Sequence, residues 1–158
     1  METIPLGDGD PRWVFGETAR IDDVLQLVRE ADAEILRLAA HLGVRASWTG
    51  SGIEYHRMPG RTALFGCAEA GDVSFAVELS SWQPGGVPPW EVEAEVSVRC
   101  DAYNDCGMHR IEAIDEQSFD SPVGAARALL EAATWVRRRG MAEPLTSWRQ
   151  RDTISRHA

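Results

Sequence analysis

Lysine is absent from all 158 residues, and the sixteen basic side chains are all arginine. Without lysine there is no Walker A phosphate loop, no Schiff-base chemistry, no pyridoxal-phosphate anchor and no protein-kinase ATP lysine. No apolar run approaches the roughly 18 residues a transmembrane helix needs. The opening Met1-Glu2-Thr3-Ile4-Pro5 lacks the basic-then-apolar layout of a secretory signal. Cysteine is scarce and odd in number, three in all, which argues against a secreted disulfide framework. These absences lead us to expect a cytoplasmic protein with free thiols and no membrane association. There is no HExxH, no GxSxG and no glycine-rich loop opening a helix. Heavy arginine and alanine usage fits a GC-rich bacterial genome.

The chain has an ordinary 44% of hydrophobic residues and a strongly acidic net charge of -9. An acidic surface repels phosphate backbones, so nucleic acid is not an expected partner. The charge is uneven. Residues 127–158 hold seven arginines against three acids, a balance of +4; residues 1–126 hold nine against twenty-two, a balance of -13. This predicts that the basic tail folds over the acidic strand face around Glu91, Glu93 and Glu95, in the same chain or in a partner subunit.

The length fits one domain spanning 1–158. Residues 1–12 read as a loose arm, 13–142 as an α+β core and 143–158 as a basic, partly docked tail. Within the core, Arg12-Trp13-Val14-Phe15 reads as a short strand or an apolar latch. Ile21, Val24, Leu25, Val28, Ile35, Leu38, Ala39 and Leu42 recur at helical spacing and predict a helix over 19–42. Thr18 is its expected N-cap and Gly43 its C′ residue. Asp22, Asp23, Glu30, Asp32, Glu34 and Arg37 fill much of the rest of its surface.

The pattern then switches to period two, predicting strands over 44–48, 53–58, 62–68, 73–81, 90–102 and 108–114. Short turns between them require antiparallel pairing. A second helix is predicted over 122–139, capped by Asp120 or Ser121, with Pro122 in its first turn and Gly140 just beyond its end. The expected fold is a two-layer α+β sandwich: a meander sheet of about five to six strands, flanked by an N-terminal and a C-terminal helix.

Three groups of residues are candidates for function. In the turn between the last two strands, apolar matching favours a register with Cys100 opposite His109, Val98 opposite Ile111 and Val96 opposite Ala113. Cys100 and His109 then share the core face, with Cys67 on that face too. Such a pair can be a nucleophile and its base, or metal ligands together with Cys67 and Cys106. A small buried thiol beside a hydrogen-bonded histidine is the plainer interpretation. The second group is Trp82 and Trp90, bracketing a stiff loop that contains Pro84; it suits recognition, or simply closes the sheet end. The third is an acidic strand face of Glu91, Glu93 and Glu95, joined by Glu78 and Glu112 from neighbouring strands. It can hold a cation, do acid–base work, or serve as a solvated face.

These features predict a non-enzymatic protein–protein interaction module, regulatory, chaperone-like or toxin-neutralising, with no cofactor. Its partner is another protein or a second copy in a homodimer. The alternative is a small-molecule binder or small enzyme with a pocket between helices and sheet, lined by Trp82, Trp90, Cys100 and His109.

Overall fold

The computed structural model describes residues 12–16, 18, 22–44, 51–58, 60–83, 87–100 and 107–157. In chain order they form α1 (Arg12–Phe15), α2 (Asp22–Leu42), β1 (Gly52–Met58), β2 (Arg61–Ala70), β3 (Val73–Ser81), β4 (Trp90–Arg99), β5 (Met108–Phe119), α3 (Pro122–Ala142) and α4 (Leu145–His157). The fold is α+β, and the five strands pair antiparallel in sequence order, β1-β2-β3-β4-β5. Among the described residues no helix is long and apolar enough to cross a membrane.

Strand alternation divides the sheet into two faces. Ile53, Leu64, Phe75, Val77, Leu79, Val92, Ala94, Val96 and Val98 share one face and are buried. All four helices pack on that face. Ile35 of α2 lies over Gly66 and Val77. The α3 backbone at Gly140 meets Leu38 and Phe75, and Trp148 of α4 meets Phe75 edge-on, with ring centroids 5.9 Å apart. Phe15 of α1 lies against Trp90, centroids 6.2 Å apart. The other face carries Arg61, Glu78, Glu93, Glu95 and Arg110, and no described helix covers it.

Local chemistry accounts for the helix ends. Gly43 has φ +72°, and Gly43 N and Val44 N donate to Ala40 O and Ala39 O, which closes α2 in a Schellman turn. Ser121 caps α3, its Oγ accepting from Gly124 N at 3.2 Å, with Pro122 in the first turn. The cap expected at Thr18 cannot be followed into α2, because residues 19–21 lie outside the described residues. The Thr18 hydroxyl donates to Phe15 O and closes α1, so the latch at 12–15 is a helical turn rather than a strand.

Gly140 does not end α3, which continues to Ala142. A Cβ at Gly140 would stand 2.5 Å from Leu38 Cδ1 and 3.2 Å from Phe75 Cε1, so any larger residue there would push the buried Leu38 side chain aside. Asp32 and Glu34, off the apolar stripe of α2, are nonetheless buried. The sheet edge covers the first, where Ile53 N donates to Asp32 Oδ1 at 3.1 Å, and α3 covers the second through an Arg137–Glu34 ion pair. Of the strand expected over 44–48, Val44 is outside any strand and the rest lies outside the described residues.

The tail is a helix, α4, anchored by one side chain. Trp148 is fully buried, with Arg139 and Arg151 guanidinium carbons 5.3 and 4.7 Å from its ring centroid. Both arginines also reach Glu112, and Arg149 pairs with Asp72 at 2.6 Å. Partly exposed, solvent-screened pairs of this kind contribute on the order of 1 kcal/mol or less each, so the indole dominates. Trp148→Ala is therefore expected to cost about 3–5 kcal/mol in denaturant melts, against under about 0.5 kcal/mol for the exposed control Arg138→Ala. A loss below about 1 kcal/mol for Trp148→Ala would show that α4 is not anchored in this way.

Candidate functional site

The uncovered sheet face gathers most of the acidic candidates. Glu91, Glu93 and Glu95 project there from β4, as strand parity requires. Register places Glu78 of β3 directly opposite Glu93. Like charges in directly opposed positions destabilise a sheet. Burial, and then the Glu93 charge working against Arg61, push the Glu78 carboxyl above its usual range. Partial desolvation and the neighbouring Glu91 and Glu93 carboxylates do the same to Glu116 of β5.

Two arginines sit among these acids. Arg61 Nη2 is 2.5 Å from Glu78 Oε1. Arg110 Nε is 2.8 Å from Glu95 Oε2, and its Nη2 is 3.6 Å from Glu93 Oε2. A recess of about 30 Å³, room for one water, opens between Phe65, Ala76, Glu78, Glu93 and Glu95. At one end stands Trp82, 56% exposed, with Arg61 5.1 Å from its ring centroid and its Nε1–H donated to Glu91 Oε2 at 2.8 Å.

The two tryptophans do not act together. Ser81 pairs with Trp90 in the β3–β4 ladder, so Trp82, one residue on, points to the opposite side. Trp90 is 2% exposed in the core, and its Nε1–H donates to Val14 O at 2.7 Å. The sheet therefore separates Trp82 from Trp90, Cys100 and His109, and these four cannot line one pocket. Pro84 lies outside the described residues.

The turn group is also rearranged. Val98, not Cys100, stands opposite His109, Cys100 N donates to Gly107 O at 2.8 Å, and Val96 stands opposite Glu112. The register changes between Val92 and Ala94 and again between Val96 and Ser97. Each irregularity inserts residues on β5 and resets which side chains face the core. Glu112 is thereby turned away from the acidic face to the helix side. Partial burial pushes its carboxyl up, but hydrogen bonds from Arg139 and Arg151 outweigh this and hold it below its usual range. The basic C-terminal segment consequently binds Glu112, Glu143 and Asp72 rather than Glu91, Glu93 and Glu95.

His109 donates from Nδ1 to Asp152 Oδ1 at 2.8 Å, a partner 43 positions away that no local pattern signals. Cys67 is on the uncovered face, opposite Ala76, and does not join Cys100. It is sunk among longer side chains with Ser74 Oγ 3.9 Å from its sulfur. Burial, with the Glu69 charge next, pushes its thiol up to about 12. Cys67 and Cys100 are buried and not in a disulfide, and Cys106 lies outside the described residues. Among the described residues no three His, Cys, Asp or Glu side chains converge as a metal site would require.

A second concavity, an open groove of about 450 Å³, runs between α2 and α3 past Glu30, Glu34, Arg37 and Thr134. Its buried acid, Glu34, is already met by Arg37 at 2.6 Å and by Arg137. Comparison with protein-family models, with curated proteins and with solved structures finds no match.

Two outcomes are expected. The folded-state pKa of Glu78 is raised, so its contribution to stability is lost as pH rises through that pKa. Glu78→Gln should therefore melt above wild type at pH 7, by about 0.2–1 kcal/mol, and the gain should vanish by about pH 4, below the unfolded carboxyl pKa. An unchanged or lower melting point at pH 7 would contradict the crowding argument. Native thiol labelling at neutral pH should leave Cys67 unmodified until denaturant is added; prompt labelling would mean that its burial is wrong.

Proposed function

We propose that the protein is a non-enzymatic interaction module that docks a protein partner on its uncovered sheet face. One observation carries this reading. Glu78 and Glu93 are set directly against each other at the centre of that face, a like-charge contact whose cost the Arg61 and Arg110 ion pairs offset only in part. Departures from local consistency of this kind concentrate where a surface serves another purpose. Trp82 adds an exposed aromatic, the residue type that dominates binding energy at protein interfaces. The indole is steadied by Glu91 and Arg61, so little ordering entropy is lost when a partner covers it.

The face is a poor self-dimer surface. A two-fold interface brings the same patch against itself and would double the carboxylate repulsion. A heterologous partner of opposite charge suits it better, and such complementarity also speeds encounter.

The test is affinity recovery from extracts of the source cells with immobilised wild type, Trp82→Ala and the distant control Glu131→Gln. A partner retained by wild type and Glu131→Gln and lost with Trp82→Ala is expected. Undiminished recovery by folded Trp82→Ala would overturn this docking surface.

A further inference from the structure

The uncovered face displays, with its own side chains, how it holds a cation. Arg61 and Arg110 are both seated on it, one between a carboxylate and an indole and the other among carboxylates. Arg61 lies between the Glu78 carboxylate at 2.5 Å and the Trp82 ring at 5.1 Å. Arg110 bridges Glu95 at 2.8 Å and Glu93 at 3.6 Å. Both guanidiniums make directional bonds to carboxylate oxygens, and Arg61 also stacks on an aromatic face, the two things a planar, forked cation does best.

These two arginines do not balance the face. Glu78, Glu91, Glu93, Glu95 and Glu116 stand around them. Glu91 is bonded by the indole N–H of Trp82, a neutral donor that brings no charge. Glu116 adds a further carboxylate beside Glu91 and Glu93. Trp82 keeps more than half its surface exposed despite Arg61, and Val87 is exposed at the end of the neighbouring loop. Carboxylates at alternate positions of a strand repeat about every 6.6–6.8 Å, so a partner can meet several at once.

We propose that the partner presents arginines on its docking surface, seated between the Glu91–Glu116 carboxylates and the exposed side of Trp82. This rests on the reading of the face as a docking surface and adds the partner's chemistry to it. Arginine rather than lysine follows from the seats. An ammonium is a compact, strongly hydrated point charge, which gains little from an indole face or from two carboxylates presented in a plane. Nucleic acid is disfavoured by charge. A divalent cation is disfavoured because, among the described residues, no three His, Cys, Asp or Glu side chains converge to hold one.

The experiment titrates the full chain with a nine-residue arginine peptide and, separately, a nine-residue lysine peptide at equal ionic strength, with amide and indole NMR signals as readout. An acidic protein attracts both, so position and ratio are what decide. The arginine peptide should shift the Trp82 indole and the Glu91–Glu95 amides selectively, and bind at least about fivefold tighter than the lysine peptide, the scale of a guanidinium–indole contact. Trp82→Ala should bring the two affinities together, and Glu91→Gln should weaken arginine binding in a fold left intact if Trp82→Ala disturbs it. Equal affinities in wild type, shifts centred on the helices, or no shifts at all would each overturn arginine recognition. The docking surface fails on a different result, retention of the cellular partner by Trp82→Ala, so the two failures are distinguishable.

Discussion

The structure depends on a sheet covered on one side only. Every described helix packs on the face carrying Phe75, Leu79, Val92 and Val96, and the core is a single layer between α2, α3, α4 and that face. Trp148 and Gly140 show how tight this layer is. The first fills the space between Phe75 and the arginines of α3 and α4, and the second leaves room for the buried Leu38 side chain. Two-layer packing leaves the opposite face to its own side chains. There, small buried residues such as Ala63, Ser80 and Ala76 lie between long charged ones, and opposed carboxylates are tolerated because helix packing supplies stability elsewhere.

The distribution of arginine follows from the same arrangement. Arg137, Arg139, Arg149 and Arg151 are engaged on the helix side by Glu34, Glu112 and Asp72. Positive charge concentrated at the C-terminal end of the chain is thus consumed in fastening α3 and α4, and the uncovered face keeps its negative excess. The register irregularities in β4–β5 are central here. They move Glu112 from the acidic face to the helix side and give α4 its charged anchor.

Much of the fold was legible from the residues. The β3 boundaries, Val73 and Ser81, follow from alternation bounded by Gly71-Asp72 and the proline-rich loop, and α3 follows from Ser121-Pro122. The parity of β4 correctly put Glu91, Glu93 and Glu95 together and Val96 in the core. What failed was what periodicity cannot carry. An unbroken ladder was assumed between β4 and β5, so Cys100 was set opposite His109 and Glu112 among the acids. Helix α4 has too few apolar residues to announce itself, because one tryptophan provides most of its attachment. The burial of Asp32 and Glu34 is not legible locally, because covering by β1 and α3 is a tertiary fact. In the site, Trp82 and Trp90 seemed paired by sequence, yet one step along a ladder sends them to opposite faces. The parity of their strands signals Arg61, Arg110 and Glu116 on the open face, whereas nothing local signals Asp152.

The central claim is that this sheet face is open in the isolated protein and available to a partner. Hydroxyl-radical footprinting with residue-level mass spectrometry tests it most directly, because each tryptophan reports its own exposure. The account predicts fast oxidation of Trp82 and strong protection of Trp90 and Trp148. Protection of Trp82 equal to that of Trp90 would mean that the face is already covered, and would contradict the account.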